Sequence, residues 1–162
     1  MVPSSDVLCY YFLMSRPPLV ISACLAGHMC RYNGCSVAFA EYPQLEAHYT
    51  LIPVCPEQLG GLPTPRPPSE IRDNKVYDVL GNDVTHAFVH GSRRALTIAQ
   101  ESGCTIALLM ERSPSCGYQH IYDGTFTKTL VPGDGIFASL LKKQGFTIYT
   151  PKTIRLLLSD IL

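Results

Sequence analysis

Short apolar runs alternate with stretches of helical periodicity along most of this chain. The apolar runs have the short length of buried strands, and they cover residues 19–23, 50–54, 104–110 and 146–149. Four stretches are predicted to be helices. Residues 36–47 begin at an N-cap type serine and are kinked or split at Pro43 in this prediction, and residues 83–102 begin at Asp83 or Thr85 and have apolar side chains near a 3.6-residue period. Residues 136–144 are stopped by Gly145, and residues 151–158 begin at Pro151. This alternation predicts an α/β fold in which helices cover both faces of a mostly parallel sheet.

The connections between the predicted strands determine their expected order. Right-handed crossovers and the common open arrangement place the strands in the order 2-1-3-4. The expected architecture is Rossmann-like, with three layers and a sheet of about four strands. Residues 18–162 are expected to form this single domain, because the chain shows neither an internal repeat nor a second core. Residues 1–17 are interpreted as an N-terminal extension.

Proline and glycine predict where the regular elements stop. Residues 60–68 contain four prolines and two glycines, so this segment cannot be a helix or a central strand. It is interpreted as a polyproline-like lid that lies along the surface. Residues 76–79 predict a short strand or hairpin, and Asp123-Gly124 predicts a tight hairpin over residues 121–126.

Charge balance and cysteine count restrict the kinds of partner. Thirteen Lys and Arg balance thirteen Asp and Glu, so no basic surface is expected to bind a nucleic-acid polymer. No apolar run approaches the roughly 18 residues of a membrane span, and no basic residue precedes the apolar patch of residues 7–14 as in a secretory signal. Seven cysteines are an odd number, which favours a reduced, cytoplasmic chain over a disulfide scaffold. A small-molecule partner fits best, and a monomer is compatible with these features.

Three cysteines follow predicted strands. Cys24, Cys55 and Cys116 each come directly after one of the first three strands or in the loop that follows it. Neighbouring parallel strands are about 4.8 Å apart, so residues after three adjacent strands lie within about 10 Å of one another. Ligands of open parallel sheets bind beyond the carboxyl ends of the strands. In the predicted strand order the three cysteines therefore meet at one crevice.

The converging thiols have two interpretations. A metal centre would hold them deprotonated, and soft thiolates select zinc, copper(I) or an iron–sulfur cluster. Structural zinc sites use four ligands, usually with C-x-x-C spacing, and that spacing is missing from the sequence. Three ligands would instead leave an open position for chemistry. The same cysteines would equally serve as small buried apolar residues at strand ends, and spacing alone leaves both interpretations open.

Three motifs around these cysteines resemble the signatures of one family. They read SACLAG and RYNG at residues 22–27 and 31–34, PVCPEQLGGLPTPR at residues 53–66, and ERSPSCG and IYDG at residues 111–117 and 121–124. Together they resemble the TudS-type thiouracil desulfidases, long catalogued as a domain of unknown function. The resemblance extends from residue 19 to residue 149.

The resemblance implies a cofactor, a reaction and site residues. It implies a [4Fe–4S] cluster held only by Cys24, Cys55 and Cys116, whose fourth iron takes the sulfur of a thiolated pyrimidine. The implied reaction of sulfur metabolism is a non-redox replacement of C=S by C=O, with water as the oxygen source. A Glu two residues after the second cysteine and a Ser three residues before the third belong to the family's active site. These are Glu57 and Ser113 here.

The side-chain chemistry of Glu57 and Ser113 agrees with the roles that the resemblance implies, but it does not require them. In such a site Glu57 would be the base for the attacking water, and Ser113 would orient that water or bind the substrate. Without the resemblance, Glu57 would be a first-turn helix carboxylate and Ser113 a turn residue. Thr64 and Arg66 in the predicted lid are candidates for binding a polar or anionic group of the substrate, unless the lid only shields the cluster.

The other cysteines are expected to have lesser roles. Cys30 and Cys35 lie in the loop after Cys24, within reach of a cluster, but the resemblance assigns neither as a ligand. Cys104 lies at the amino end of its strand, away from the crevice, and is expected in the core.

Two other functions fit the sequence. One is a cluster-free sulfur-transfer enzyme in which the Cys116 thiol is a nucleophile that carries persulfide sulfur. This function predicts that Cys24 and Cys55 do not matter for activity. The other is a non-catalytic metal-binding or redox-sensing module, in which loss of the metal alters stability or partner binding without any turnover.

Overall fold

A four-stranded parallel sheet forms the centre of the protein. The computed structural model describes residues 16–159 and 161, so the predicted N-terminal extension lies outside it except for its last two residues. The described strands and helices are, in chain order, β1 Pro18–Ser22, α1 Tyr42–His48, β2 Thr50–Val54, α2 Pro56–Leu59, β3 Ser69–Arg72, β4 Lys75–Asp78, α3 Thr85–Glu101, β5 Ile106–Leu108, β6 His120–Tyr122, β7 Leu130–Pro132, α4 Ile136–Lys143, β8 Thr147–Tyr149 and α5 Ile154–Ser159. The sheet has the order β2-β1-β5-β8, and each neighbouring pair is parallel. The predicted order 2-1-3-4 is confirmed.

Side chains of β1 alternate between two faces of the sheet, and helices cover both faces. Ile21 belongs to a buried cluster with Leu157 of α5. Val20 belongs to a second buried cluster with Ala95 of α3 and Phe137 of α4. Since successive side chains of a strand point to opposite faces, the two clusters lie on opposite sides of the sheet. The predicted three-layer architecture is therefore confirmed.

The helix predicted over residues 36–47 is shorter than expected. Helix α1 begins at Tyr42, and residues 36–41 are irregular. Pro43 is the second residue of the helix, where a missing N–H costs nothing because first-turn amides have no partner inside the helix. The predicted start at Ser36 is wrong, and the proline marks the true start. None of the helices in the part of the chain that is described is long and apolar enough to cross a membrane.

Two antiparallel hairpins stand outside the central sheet. The strand predicted at residues 76–79 is observed as β4, which pairs with β3. The tight hairpin predicted over residues 121–126 is wrong, because β6 pairs with the more distant β7. Residues 123–129 instead form the loop between these two strands.

The buried carboxylate of Glu70 joins the two hairpins. Glu70 lies in β3 and is 8% exposed. Its Oε2 atom accepts hydrogen bonds from the backbone N–H groups of Gly124 at 2.9 Å and Phe126 at 3.0 Å. Both residues have a left-handed backbone conformation, with φ of 89° and 60°. The carboxylate therefore holds the path of the loop of residues 123–129, because a buried carboxylate needs such donors.

Two glycines let the short helix α2 lie directly against the long helix α3. A Cβ atom added at Gly91 would overlap the carbonyl oxygen of Pro56, and one added at Gly60 would overlap the backbone of α3. Any side chain at either position would push the two helices apart. Because α2 follows Cys55 and carries Glu57, this backbone contact determines how deeply both residues lie in the protein.

Candidate active site

A cavity of about 590 Å³ lies at the carboxyl ends of β2, β1 and β5. Its volume is in the range of small-molecule sites, about 300–1,000 Å³. Cys24, Cys55 and Cys116 all line this cavity, together with Glu57 and Ser113. The structure thus brings together the three cysteines that the sequence analysis placed at one crevice.

Backbone hydrogen bonds fix Cys24 and Cys55 just beyond their strands. Cys24 lies in a 3-10 helix, Ala23–Ala26, that continues β1, and its carbonyl accepts a hydrogen bond from the Val37 N–H at 2.8 Å. Cys55 directly precedes α2, and its carbonyl accepts a hydrogen bond from the Leu59 N–H at 2.9 Å. Both cysteines are therefore held by the turns that terminate neighbouring strands.

The loop that carries Cys116 is organised around Ser113. The Ser113 Oγ atom accepts hydrogen bonds from the backbone N–H groups of Ser115 at 3.1 Å and Cys116 at 3.2 Å. The Ser113 carbonyl accepts a further bond from the Gly117 N–H at 2.8 Å. A serine hydroxyl that binds amides two and three residues ahead makes a tight local turn. Ser113 thus positions Cys116 as well as lining the cavity.

The surroundings of Cys116 and Cys55 favour the neutral form of these two thiols. Burial raises the pKa of Cys116 to about 12, against a smaller lowering by a hydrogen bond from Ser22. The pKa of the Cys55 thiol is raised strongly, first by its hydrogen bond with the Cys30 thiol and then by burial. A reactive thiolate needs the opposite environment. The pKa of Cys116 is thus shifted away from the range that a lone thiol nucleophile would need.

A fourth thiol, that of Cys30, lies at the same cavity. Cys30 is 3% exposed and lines the cavity. The neighbouring Cys24 thiol, more than burial, raises the pKa of Cys30 to about 11, against a lowering by Cys55. Cys35, five residues later, is exposed. Cys104 is buried in the cluster beneath α3 and α4, which confirms its expected place in the core.

The Glu57 carboxylate lies between a guanidinium group and two serine hydroxyls. The Arg66 guanidinium donates to Glu57 Oε2 from Nε at 2.7 Å and contacts it from Nη2 at 2.6 Å. On the other side, Ser115 Oγ donates to Glu57 Oε1 at 3.0 Å, and Ser113 Oγ lies 3.4 Å from the same atom. The two hydroxyls are 2.8 Å apart. Contacts to both oxygens therefore orient the Glu57 carboxylate, and its Oε1 atom faces the two serines of the loop that carries Cys116.

Arg66 also joins the predicted lid to the loop that carries Cys30. Its Nη1 atom donates to Thr64 Oγ1 at 3.0 Å and to the Pro63 carbonyl at 3.2 Å. Its Nη2 atom donates to the Cys30 carbonyl at 2.8 Å. The guanidinium is 5% exposed, and these bonds direct its donors to the protein itself. Substrate binding by Thr64 and Arg66 stays a prediction, whereas the contacts of Arg66 identify it as a positioning residue for Glu57.

Several lining residues were not assigned from the sequence. Besides Cys30 and Ser115, they are Arg31, Arg112, Tyr122, Phe126 and Lys128. Ser115 lies inside the third motif beside Cys116, so the motif was a signal that could have identified it. The residues of the β6–β7 loop had no such signal, because the path of that loop depends in part on two hydrogen bonds to Glu70, which lies in a distant strand.

The donor set suits a cluster better than a single ion. Among residues 16–159 and 161, no three His, Cys, Asp or Glu side chains are arranged to hold one metal ion. A single zinc ion needs all its ligands about 2.0–2.3 Å from one point. A [4Fe–4S] cluster takes its cysteines on separate irons, so its ligands stand further apart around a cavity. The three thiols line one cavity of about 590 Å³, and soft thiolates are the ligands that iron–sulfur clusters use.

The fold and this cavity together have the arrangement of an α/β enzyme that acts on a small molecule. The model of the 2-thiouracil desulfurase family matches residues 19–153. The chain therefore belongs to the 2-thiouracil desulfurase family. The resemblance found in the three motifs is confirmed, as is the expectation that the chain is an enzyme of this type.

Two similar proteins extend this comparison. The uncharacterized protein YbbK of Bacillus subtilis (strain 168) is 37% identical over 154 residues, which are 89% of this chain and 99% of that protein. The solved structure of TudS, a [4Fe–4S]-dependent thiouracil desulfidase, is 36% identical with a TM-score of 0.83. That match covers 90% of this chain and 97% of the TudS chain. The similarity to TudS thus extends over both the sequence and the fold.

Proposed function

We propose that this protein converts the C=S group of a thiouracil-like small molecule to C=O by a non-redox reaction. One water supplies the oxygen atom, and the sulfur leaves as hydrogen sulfide, so no electron donor or acceptor is needed. The observation that carries the proposal is that the cysteines of all three family motifs line one cavity beside Glu57. Membership of the 2-thiouracil desulfurase family and the similarity to TudS support it.

The proposed cofactor is a [4Fe–4S] cluster held by Cys24, Cys55 and Cys116. When bound, the cluster supplies an iron without a protein ligand, which acts as a Lewis acid toward the soft substrate sulfur. The three thiols lie at the ends of adjacent strands, so the sheet presents them together without help from the substrate. Cys24 and Cys116 are buried, whereas Cys55 is partly exposed.

Glu57 is proposed as the base for the attacking water. Its Oε2 atom is held by Arg66, which leaves Oε1 to accept a proton on the side of Ser113 and Ser115. Ser113 orients the water or the substrate through its hydroxyl, while its Oγ also holds the Cys116 loop. A base positioned within hydrogen-bond reach typically contributes 10²–10⁴-fold to the rate.

Anaerobic reconstitution with iron and sulfide tests the cofactor. The protein should turn brown and hold about four irons per chain. Replacing Cys24, Cys55 or Cys116 with Ala should abolish cluster binding, while the control Cys104→Ala should retain it. A colourless protein that holds one zinc ion would refute the cluster.

Turnover of 2-thiouracil by the reconstituted enzyme tests the reaction. Uracil and sulfide should appear in equal amounts. Glu57→Gln should retain the iron content and lower kcat by about 10²–10⁴-fold. If the variant keeps full activity with an intact cluster, the base lies elsewhere in the cavity.

A further inference from the structure

Four cysteines, rather than three, line the cavity. Cys30 is 3% exposed and lines the same cavity as Cys24 and Cys55. The Cys55 thiol also lies 3.9 Å from the Cys30 carbonyl oxygen. Within the described residues, the cavity is lined by these three cysteines and Cys116. Thiolates are the usual ligands of iron–sulfur clusters, and a [4Fe–4S] cluster has places for four of them.

The backbone of Cys30 is held by two hydrogen bonds. The Cys30 carbonyl accepts the hydrogen bond from Arg66 Nη2 at 2.8 Å, and its N–H donates to the His28 carbonyl at 2.9 Å. The side chain is short and turns about a single χ1 bond. A change of rotamer can therefore redirect the thiol within the cavity without moving the loop.

We propose that Cys30 binds the fourth iron when no substrate is present and leaves it when substrate sulfur arrives. The inference rests on the proposed cluster function. In the exchange, the bond between iron and the Cys30 sulfur breaks and a bond between iron and the substrate sulfur forms. Cys30 leaves as a neutral thiol by taking the proton that the thioamide N–H of the substrate gives up on binding. No electron is transferred, so the exchange agrees with non-redox chemistry.

Such a ligand protects the cluster between turnovers. An iron without a protein ligand would be the one most readily lost to an oxidant, because no side chain binds it. A thiolate that covers this iron slows that loss, and it also competes with the substrate. If Cys30 covers the iron in about nine of ten molecules, the apparent affinity for substrate falls about tenfold.

The test compares wild type, Cys30→Ala, Cys30→Ser and the control Cys35→Ala, all reconstituted anaerobically. Cys35 lies in the same loop and is exposed. Each protein is treated with one equivalent of ferricyanide, and formation of the [3Fe–4S] form is followed by electron paramagnetic resonance. We expect Cys30→Ala to lose its fourth iron about tenfold faster than wild type and Cys35→Ala. We also expect about tenfold lower KM for 2-thiouracil in Cys30→Ala, with kcat within about twofold of wild type.

Several outcomes would overturn the proposal for Cys30 alone. One is equal rates of iron loss in wild type and Cys30→Ala. Another is a changed cluster reduction potential with unchanged iron loss, which would make Cys30 only a hydrogen-bond donor to the ligand sulfurs. If neither Cys30→Ala nor the isosteric Cys30→Ser assembles a cluster, Cys30 is a permanent ligand and is not displaced. Failure of wild type to assemble a cluster or to release sulfide would instead refute the proposed function itself.

Discussion

Replacing Arg66 tests how much the site depends on the ion pair with Glu57. The two side chains are 5% and 14% exposed, so Arg66→Ala leaves a carboxylate mostly buried without its cation. Removing one partner of a buried pair costs about 3–5 kcal/mol of the free energy of unfolding. In a domain of this size each kcal/mol lowers the melting temperature by about 2–4 °C. We therefore expect the melting temperature of Arg66→Ala to fall by about 6–20 °C.

The matched control is Arg94→Ala. Arg94 Nη1 also donates to the α2 region, at the Leu59 carbonyl 2.9 Å away, but this contact is exposed. Loss of this hydrogen bond should lower the free energy of unfolding by about 1 kcal/mol. A double-mutant cycle of Arg66→Ala with Glu57→Gln isolates the pair, and thermal unfolding should give a coupling of at least about 1.5 kcal/mol. Two results would show that the ion pair does not stabilise this site. One is that Arg66→Ala lowers the free energy of unfolding no more than Arg94→Ala does. The other is that Arg66→Ala lowers it by the same amount in the wild type and in the Glu57→Gln variant.

Three further substitutions address other contacts around the cavity. Gly91→Ala should lower the free energy of unfolding by about 1–3 kcal/mol, because the new methyl group overlaps the Pro56 carbonyl. Thermal unfolding of this variant is compared with that of the exposed control Thr97→Ala. A difference between the two variants below about 0.5 kcal/mol would contradict the packing argument. Glu70→Gln should speed hydrogen exchange of the Gly124 and Phe126 amides about 5- to 10-fold. Each amide keeps a neutral acceptor, whose bond is worth about 0.5–1.5 kcal/mol, in place of a charge-assisted bond worth about 1.5–3 kcal/mol. Unchanged exchange would mean that contacts within the loop are sufficient to hold these amides. Ser115→Ala should lower kcat about 10- to 100-fold with the iron content unchanged, because Glu57 Oε1 loses its closer hydroxyl donor. A kcat equal to that of wild type would mean that Ser115 has no role in the reaction.

The central sheet could be predicted because its strands are apolar runs with clear boundaries. Strand β2 was predicted with the observed bounds, and the helix Ile136–Lys143 was predicted to within one residue. Strand β3 could not be predicted in this way, since the sequence Ser-Glu-Ile-Arg has no apolar run. It forms because it pairs with β4 and because its glutamate binds backbone amides of a distant loop. These are tertiary contacts, which a local pattern does not record.

The candidate site also contains some features that the sequence could predict and others that it could not. The meeting of Cys24, Cys55 and Cys116 followed from strand order alone, and the structure brings them to one cavity. The contacts of Cys30 could not be predicted, because they depend on where the loop after β1 is held by Arg66. The hydrogen bond of Ser115 to Glu57 joins residues 58 positions apart, and no spacing rule connects a loop serine to a helix carboxylate at that distance.

The order β2-β1-β5 also determines when the site can form during folding. Pairing of β1 with β2 brings together Cys24 and Cys55, but Cys116 arrives only after β5 has paired with the other edge of β1. That pairing joins segments more than 80 residues apart in the chain, a non-local contact of the kind that slows folding. A nascent chain that ends before β5 therefore contains two of the thiols side by side, but it does not yet contain the site.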